Sequence, residues 1–578
     1  MTIADVEHLA SQRLLMLRAL GYTDLCCHGN GVTYKGISRS GVETFLGIPY
    51  GQDTGGSNRF KRPKPYKFKP GATFFATSEG PSCPQELGAT LIPLYLQNFT
   101  SVSEDCLHLN VYRPNGTRAG ERLPVMVFIH GGSFIGGSKD EPAVQPEGMI
   151  LESIHNGSPV INVHINYRLG IFGFAQSDAL SEEGSTNMGI RDQRLALEWV
   201  RDNIRRFGGD CERITIYGQS SGGLAVGLQI MAYGASKPLP FQQAICESQV
   251  LEPGITGTFT EKAMARVRTA SPCSAHPQQS EAFISCLRGL SLQDLLKLQT
   301  DTHQSDPAAN IGDEWLPMVD GDMIPQRPSE LIAQGKFGAI TSIIGWCNDD
   351  TNPFTPLNIT TGQDTHDFLT QYAPSMSPNN VERILDLYPI SDFQSNPSAD
   401  LSAQFYRSGR ILRDILMTSQ PVFFGSYITS LKHKNVYLYD QNQTVLTPVL
   451  DAVGFSGTGV VHTSEFAYVF GNFSHYVDVD GLPNPKFTES DYALLTRESR
   501  SWSTFAATGQ PSLDDHKTLQ GWRPAFKGQQ TGVYVIGGPS PGFSTVTGPG
   551  SSEAVRAQKL KERCDLLNSP EIVRQLDW

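Results

Sequence analysis

Short apolar runs, each ended by turn residues, predict the strands of this chain. Four runs in the first half are rich in β-branched and aromatic residues: "PVMVFIHGG", "PVINVHINYR", "RITIYGQ" and "QAICES". Three more follow later: "AITSIIGW", "NVYLYD" and "GVYVIGG". The runs are continuous rather than alternating, which is typical of strands buried on both faces of a sheet.

A helical period separates two of these runs. In "MGIRDQRLALEWVRDNIRRFGGD" the apolar side chains recur every three or four positions, and Gly208 supplies an end signal. Strands that alternate with helices predict an α/β fold, with a large, mainly parallel central sheet and helices on both faces. The apolar positions of the helix are Ile190, Leu197, Val200, Ile204 and Phe207.

The beginning of the chain has a different pattern. In "MTIADVEHLASQRLLMLRALGYTDL" leucines at helical spacing stand among acids and arginines, so the uninterrupted apolar core of a signal peptide is missing. No internal repeat or low-complexity linker divides the remainder. We therefore predict a helical extension over residues 1–29 and one large domain over residues 30–578.

Composition narrows the possible partners. Apolar residues make up 39% of the chain and no stretch approaches the roughly 18 apolar residues of a membrane span, so no integral membrane segment is expected. The net charge of -12, without a basic run, argues against nucleic acid. No CxxC pair or HExxH occurs, and "DVDG" at 478–481 lacks the other ligands of a calcium loop. We expect no metal and no cofactor.

Two pentapeptides fit the pattern GxSxG, which can place a nucleophilic serine between a strand and a helix. Before Ser220, "RITIY" predicts a strand, and after it "GLAVGLQIMAYG" predicts a helix. A strand also precedes Ser540, but Pro541 lacks the N–H that would form half of an oxyanion hole, and no helix follows. The sequence favours Ser220 as the nucleophile.

A second glycine-rich turn could hold the oxyanion that such a serine generates. The strand in "VMVFIHGGSF" ends in His130, Gly131 and Gly132. Glycines let the backbone come close to a developing negative charge with its amides aimed inward. A purely structural strand-to-helix turn has the same composition, but this ending is the companion motif that the serine turn requires.

Seven segments together resemble the type-B carboxylesterase family, which includes the cholinesterases and some fungal lipases. They occur in order between about residues 30 and 225: "TFLGIPYG", "NRFKRP", "SEDCLHLNVYRP", "FIHGGSF", "NYRLGIFGF", "NMGIRDQRLALEWVRDNIRRFGGD" and "GQSSGG". Weaker matches continue to "ERCDLL", so nearly the whole chain is covered. The resemblance implies an α/β-hydrolase fold in one catalytic domain, and a serine carboxylic-ester hydrolase that forms an acyl-enzyme.

The resemblance also implies the acid of a catalytic triad, which follows the serine in this fold. "IIGWCNDDTNPF" matches the family's frame and assigns Asp350 to this role. Asp350 stands where glutamate is usual and Thr351 where glycine is usual, but a carboxylate of either length can orient an imidazole. We interpret Asp349 as a structural turn acid and Cys347 as a buried strand residue.

The general base is implied in the same way. His462 lies in "GTGVVHTSEFAYVFGN", which resembles the family's histidine segment. His475 and His433 stand in polar surroundings typical of surface histidines.

The residues beside the nucleophile differ from the family pattern. The resemblance assigns the oxyanion hole to the amides of Gly131, Gly132 and Ser221. Gln219 replaces a frequent glutamate and Ser221 an alanine, and neither change removes a backbone donor. They leave open whether water is the preferred acceptor. Two alternatives to hydrolysis therefore stay open: an acyltransferase or cyclising enzyme, and a non-catalytic binding protein, although all three triad residues are present.

The family's first two disulfide loops imply the pairs Cys83–Cys106 and Cys273–Cys286, with reduced thiols in a cytosolic protein as the alternative. The resemblance also implies two structural ion pairs, Arg59–Glu104 and Arg168–Asp192. Disulfides and sequons suggest a secreted or lumenal protein, whereas the missing signal peptide leaves the cytoplasm possible. The six sequons begin at Asn98, Asn115, Asn156, Asn358, Asn442 and Asn472.

The segment between Cys83 and Cys106 bears on the substrate. Choline esterases place a tryptophan there to bind the quaternary ammonium, and this segment has none. Its aromatics are Tyr95 and Phe99, among leucines and isoleucine, which would form an apolar wall of the substrate pocket beside Gln219. We expect a neutral or apolar ester, although these residues could simply pack the loop against the domain. The sequence does not indicate an oligomeric state.

Overall fold

The structure of this chain, a computed structural model, describes residues 25–29, 31–87, 101–305, 309–479 and 481–578. Residues 1–24 of the expected helical extension lie outside this part. The end of the extension, Leu25–Gly29, is not helical but forms a strand that pairs antiparallel with Val32–Arg39. The division into an extension and one domain otherwise stays a prediction.

Fourteen strands form one sheet within the described residues. They are β1 Leu25–Gly29, β2 Val32–Arg39, β3 Val42–Pro49, β4 Thr73–Phe75, β5 His108–Pro114, β6 Leu123–Ile129, β7 Ile161–Ile165, β8 Gly209–Gln219, β9 Gln243–Glu247, β10 Thr341–Cys347, β11 Val436–Gln441, β12 Phe526–Lys527, β13 Gln530–Ile536 and β14 Gly542–Thr545.

The centre of the sheet is parallel and its margins are antiparallel. The strand order is β1-β2-β3-β5-β7-β6-β8-β9-β10-β11-β13-β12, with β4 beside β2 and β14 beside β13. All ladders from β7 to β13 along this order are parallel. The predicted mainly parallel α/β architecture is confirmed, and all seven predicted strands belong to the parallel centre.

Helices cover the sheet. They are α1 Glu147–His155, α2 Gly170–Phe174, α3 Asp178–Glu182, α4 Met188–Asn203, α5 Ser221–Met231, α6 Phe259–Ala270, α7 Glu281–Gly289, α8 Leu292–Ser305, α9 Pro328–Ala333, α10 Gly362–Tyr372, α11 Pro378–Asp386, α12 Ala403–Arg413, α13 Ser419–Lys432, α14 Thr447–Ala452, α15 Phe466–Val469, α16 Glu489–Thr508, α17 Glu553–Ala557, α18 Leu560–Leu567 and α19 Pro570–Gln575.

Strand β6 illustrates why a continuous apolar run indicates a strand that is buried on both faces. Val125, Val127 and Ile129 join one hydrophobic cluster, while Met126 and Phe128 join a second cluster on the opposite face. Because both faces are covered, every position of the strand is apolar.

The predicted helix between β7 and β8 is α4, extended by a 3₁₀ turn over Ile204–Phe207. All five of its predicted apolar positions are fully buried. The helix ends at Gly208, whose φ of 93° lies in the left-handed region that glycine adopts without strain.

Both expected disulfides are present, with Cα–Cα distances of 5.0 Å for Cys83–Cys106 and 5.8 Å for Cys273–Cys286. The free cysteines of the described part are Cys211, Cys246, Cys347 and Cys564. None of the helices described is long and apolar enough to cross a membrane. Nor does any group of three or more His, Cys, Asp or Glu side chains in the described ranges have a metal-binding arrangement.

Both expected ion pairs are present; Arg168–Asp192 is buried, and Arg59–Glu104 is partly buried. Arg168 contacts both carboxylate oxygens of Asp192 at 2.7 Å, and its backbone amide donates to the same carboxylate. Arg59 pairs with Glu104 at 2.6 Å and also donates to backbone carbonyls of the α7 region. The first pair ties the chain after β7 to α4.

We predict that Asp192→Asn lowers the free energy of unfolding by about 3–5 kcal/mol, because it leaves the Arg168 guanidinium buried without its counter-charge. The matched control is Asp202→Asn, whose partner Arg201 lies on the surface, so its loss changes stability by about 1 kcal/mol or less. Thermal and denaturant unfolding of the two variants measure this difference, and equal effects would contradict the burial argument.

Candidate active site

The candidate catalytic residues follow three strands of the parallel sheet at their carboxyl ends. The Gly131–Gly132 turn follows β6, Ser220 follows β8, and Asp350 lies three residues after β10. Because these strands run parallel, their carboxyl ends meet at one edge. His462 reaches this edge from the loop between α14 and α15.

Ser220 occupies a strained turn between β8 and α5. Its φ of 60° and ψ of -135° lie in a region that non-glycine residues rarely adopt. The turn is possible because Gly218 and Gly222 lack side chains: a Cβ on either would overlap the Ile129 carbonyl oxygen of β6. The Ser220 amide donates to the Glu247 carbonyl of β9 at 2.9 Å, which holds the turn against the sheet.

Ser540 has a different environment. It is exposed in the short connection between the antiparallel strands β13 and β14. No helix follows it, as the sequence predicted. The structure therefore joins Ser220, and not Ser540, to the strand–turn–helix geometry.

His462 and Asp350 are in direct contact. The His462 Nδ1 lies 2.5 Å from the Asp350 Oδ1, and both side chains are buried. The other oxygen of Asp350 accepts a hydrogen bond from the Cys347 amide at 2.8 Å. The Phe354 ring packs edge-on against the imidazole, 5.2 Å between centroids. Asp350 thus reaches the imidazole although its side chain is shorter than the glutamate that is usual at this position.

The second nitrogen of His462 contacts Gln219. The Gln219 Nε2 lies 3.2 Å from the His462 Nε2, the atom to which a nucleophilic serine would donate. The Ser220 hydroxyl makes no hydrogen bond to the described residues. The hydrogen bond between a nucleophile and its base is often formed only when substrate is bound. Before Ser220 could donate to His462, the Gln219 side chain would have to rotate away from the imidazole.

The turn after β6 carries uncommitted amide donors. Within the described part of the chain, the amides of Gly131, Gly132 and Ser221 donate to no carbonyl or side-chain oxygen. Gly132 has a φ of 104°, and a Cβ there would overlap the Gly136 carbonyl oxygen. The Ser221 hydroxyl accepts from the Phe134 amide at 3.3 Å, which links this turn to the start of α5.

His130 supports the same turn from below. Its ring stacks on Tyr167 at 4.4 Å, and the Tyr167 hydroxyl donates to the His130 carbonyl at 2.7 Å. Burial lowers the pKa of His130 to about 4, so the ring is neutral at physiological pH and serves to pack the turn.

A buried polar cluster beneath the His462–Asp350 pair was not expected from the sequence. Glu465 accepts hydrogen bonds from the Cys347 thiol at 3.0 Å and from the Ser248 hydroxyl at 3.2 Å. Burial and the charge of Asp350 raise the pKa of Glu465, and burial raises the pKa of Cys347 well above its usual value. Cys347 is buried at the end of β10, as predicted, but it also bridges Asp350 and Glu465. The sequence feature that could have indicated Glu465 is the glutamate in "HTSEF", three residues after His462.

Asp313 is a further carboxyl near the site. It accepts a hydrogen bond from Ser133, which directly follows the Gly131–Gly132 turn, and it interacts electrostatically with His462. Burial raises the pKa of Asp313 to about 6. No motif in the sequence pointed to it.

The other residues singled out from the sequence are an acid, two histidines and two aromatic residues. Asp349 accepts a hydrogen bond from the Val460 amide at 3.0 Å, which agrees with a structural role. His433 is exposed at the end of α13. His475 is half-buried rather than exposed, because it packs beside Asn472, and burial lowers its pKa. The pocket candidates Tyr95 and Phe99 lie outside the described residues.

Comparisons with known proteins agree with one another. A model of the carboxylesterase family matches residues 28–547. A secreted lipase of Arthroderma benhamiae is 46% identical over 549 residues, 95% of each chain. An inactive carboxylesterase-like protein of Byssochlamys spectabilis is 34% identical over 557 residues, 93% of this chain and 92% of its own. The crystal structure of Aspergillus niger EstA has the same fold, with a TM-score of 0.76 and 23% identity, over 95% of this chain and 99% of that one.

We predict that Gln219→Glu moves the acid limb of the kcat/KM profile to higher pH, by roughly 0.5–1 unit. A carboxylate beside the His462 Nε2 stabilises the protonated imidazole, which cannot act as a base. Hydrolysis of a p-nitrophenyl ester between pH 5 and 8 measures the shift. Gln219→Ala, which removes the amide without adding charge, should not move the limb upward. A limb that stays in place in Gln219→Glu would contradict the assigned contact.

Proposed function

This chain belongs to the carboxylesterase family of carboxylic ester hydrolases and has the α/β-hydrolase fold, and we propose that it cleaves its ester through an acyl-enzyme on Ser220. The observation that carries the proposal is the Asp350–His462 contact of 2.5 Å at the sheet edge where Ser220 is held in a strained turn.

The proposed reaction has two steps. His462 accepts the Ser220 proton while the oxygen attacks the ester carbonyl, and the amides of Gly131, Gly132 and Ser221 stabilise the tetrahedral oxyanion. The imidazolium then protonates the leaving alcohol. In the second step His462 deprotonates a water molecule, which attacks the acyl-enzyme and releases the acid. Asp350 keeps the imidazole oriented and stabilises its positive charge.

Two functions other than ester hydrolysis are compatible with this family and site. An acyltransferase or cyclising enzyme would use the same acyl-serine with an acceptor other than water. The feature that raises this alternative is Gln219, which replaces the family's frequent glutamate beside the nucleophile. The second alternative is a non-catalytic binding protein, and the name of the 34% identical relative describes that relative as inactive. The presence of Ser220, Asp350 and His462 in this chain supports catalysis. Product analysis with water and added alcohols as competing acceptors separates hydrolysis from transfer.

We also propose a neutral or apolar ester as the substrate. The support is the sequence between Cys83 and Cys106, which has no tryptophan to bind a quaternary ammonium. The Asp313 carboxyl, which accepts a hydrogen bond from Ser133, is a group near the site that could attract a cation instead.

We predict that Ser220→Ala lowers turnover of a p-nitrophenyl ester by several orders of magnitude and abolishes labelling by a fluorophosphonate probe. Ser540→Ala is the matched control, since it removes the same hydroxyl from the other GxSxG segment, and it should keep nearly full activity. Comparable losses in both variants would refute the nucleophile assignment. A wild-type protein that neither hydrolyses esters nor reacts with the probe would favour the binding-protein alternative.

We predict that butyrylthiocholine is hydrolysed no faster than an uncharged thioester with the same acyl chain. The measurement is kcat/KM for the two compounds. A clear preference for the choline compound would contradict the neutral-substrate proposal. In that case Asp313→Asn decides whether this carboxylate supplies the cation site, because the preference would disappear in that variant only if it does.

A further inference from the structure

We propose that a cavity at the carboxyl ends of β10 and β11 binds a small oxyanion, a carboxylate or a phosphate, through Arg410. The cavity measures about 300 Å³. Asn348, directly after β10, and Asn442, directly after β11, line it together with Arg410 of α12. Ligands of α/β sheets bind in crevices beyond the carboxyl ends of the strands. A smaller space of about 50 Å³ next to it shares Asn348 and Arg410.

Arg410 is the group that points to an anion. Its side chain is 18% exposed, and its only charge contact in the described part is Asp349, at 3.8 Å. The guanidinium donates no hydrogen bond to any described residue, although it carries five N–H donors. Burial and the nearby Arg413 lower the pKa of Arg410 to about 10, so it remains a cation at neutral pH. A partly desolvated cation without hydrogen bonds carries a free-energy cost, and a bound oxyanion would offset that cost.

The other charged groups around the cavity are already paired. Arg413 contacts Asp414 through two nitrogens, at 2.9 and 2.5 Å. The Asp392 carboxylate, which also lines the cavity, is held by Lys559 at 2.6 Å. Arg563, the other arginine of the lining, lies 3.6 Å from Asp392 and from Asp414 and donates to the Gln558 carbonyl at 2.9 Å. Arg410 differs from these groups because its ion pair with Asp349 is long, at 3.8 Å, and because its guanidinium makes no hydrogen bond within the described residues.

The geometry of the donors suits an oxyanion. An arginine fork can hold two oxygens of one carboxylate or phosphate. The carboxamides of Asn348 and Asn442 make no hydrogen bond to other described residues, and their NH₂ groups are available as neutral donors to the same anion. This site does not rest on the proposed ester chemistry, because its residues are distinct from the triad.

The test is isothermal titration calorimetry on the full chain in a Tris chloride buffer. Inorganic phosphate and acetate are titrated into the protein in separate experiments. Asn442 belongs to a sequon, so its unmodified state is first verified by mass spectrometry. We expect saturable binding to one site and a rise of the unfolding midpoint with phosphate. Arg410→Gln should weaken the binding about tenfold or more and remove the midpoint rise. Arg201→Gln, which removes a surface arginine from α4, should bind as the wild type does.

A second variant keeps the test decisive if Arg410→Gln does not fold. Asn442→Asp places a negative charge on the cavity wall without touching Arg410, and it should weaken phosphate binding severalfold. Binding of acetate that competes with phosphate would show a general oxyanion site, and binding of phosphate alone a phosphate site. The absence of saturable binding for both ions at millimolar concentration would overturn the proposal. So would phosphate binding that both variants leave unchanged.

Discussion

The candidate active site depends on one constraint, which is that parallel strands lying side by side end at the same edge of a sheet. The turn after β6, Ser220 after β8 and Asp350 after β10 are separated by about 90 to 130 residues along the chain. The backbone ladders of β6, β8, β9 and β10 hold them at neighbouring positions. Because the sheet is buried on both faces, a shift of register would move apolar side chains out of their clusters. The core thereby fixes the spacing of the site.

Several residues at the same edge have a strained backbone. Ser220, Ser133, Phe134, Ser248 and Thr463 all have φ values between 55° and 68°, and each such residue costs about 1–3 kcal/mol. The surrounding structure holds them in place, through glycines that permit close backbone contact and through buried ion pairs such as Arg168–Asp192. Strained residues persist where the packing around them leaves no alternative.

Polar groups that are costly to bury also collect there. Glu465 and Cys347 lie beneath the His462–Asp350 pair, and Arg410 reaches the next part of the edge through Asp349. The cores on the two faces of β6 consist of apolar side chains. This contrast separates the part of the fold that supplies stability from the edge that carries the candidate sites.

The sequence by itself determined the seven central strands and the helices α4 and α5, and it favoured Ser220 over Ser540, because continuous apolar runs, a helical period and a proline after Ser540 act locally. The triad acid, the histidine, the disulfides and the ion pairs came from family resemblance rather than from periodicity. Only the tertiary structure decided that Gln219 contacts His462, that Glu465 lies under Asp350 and that Leu25–Gly29 pairs as a strand. These contacts join segments that the sequence pattern treats separately, and packing, hydrogen bonding and desolvation act between such segments only after the chain has folded.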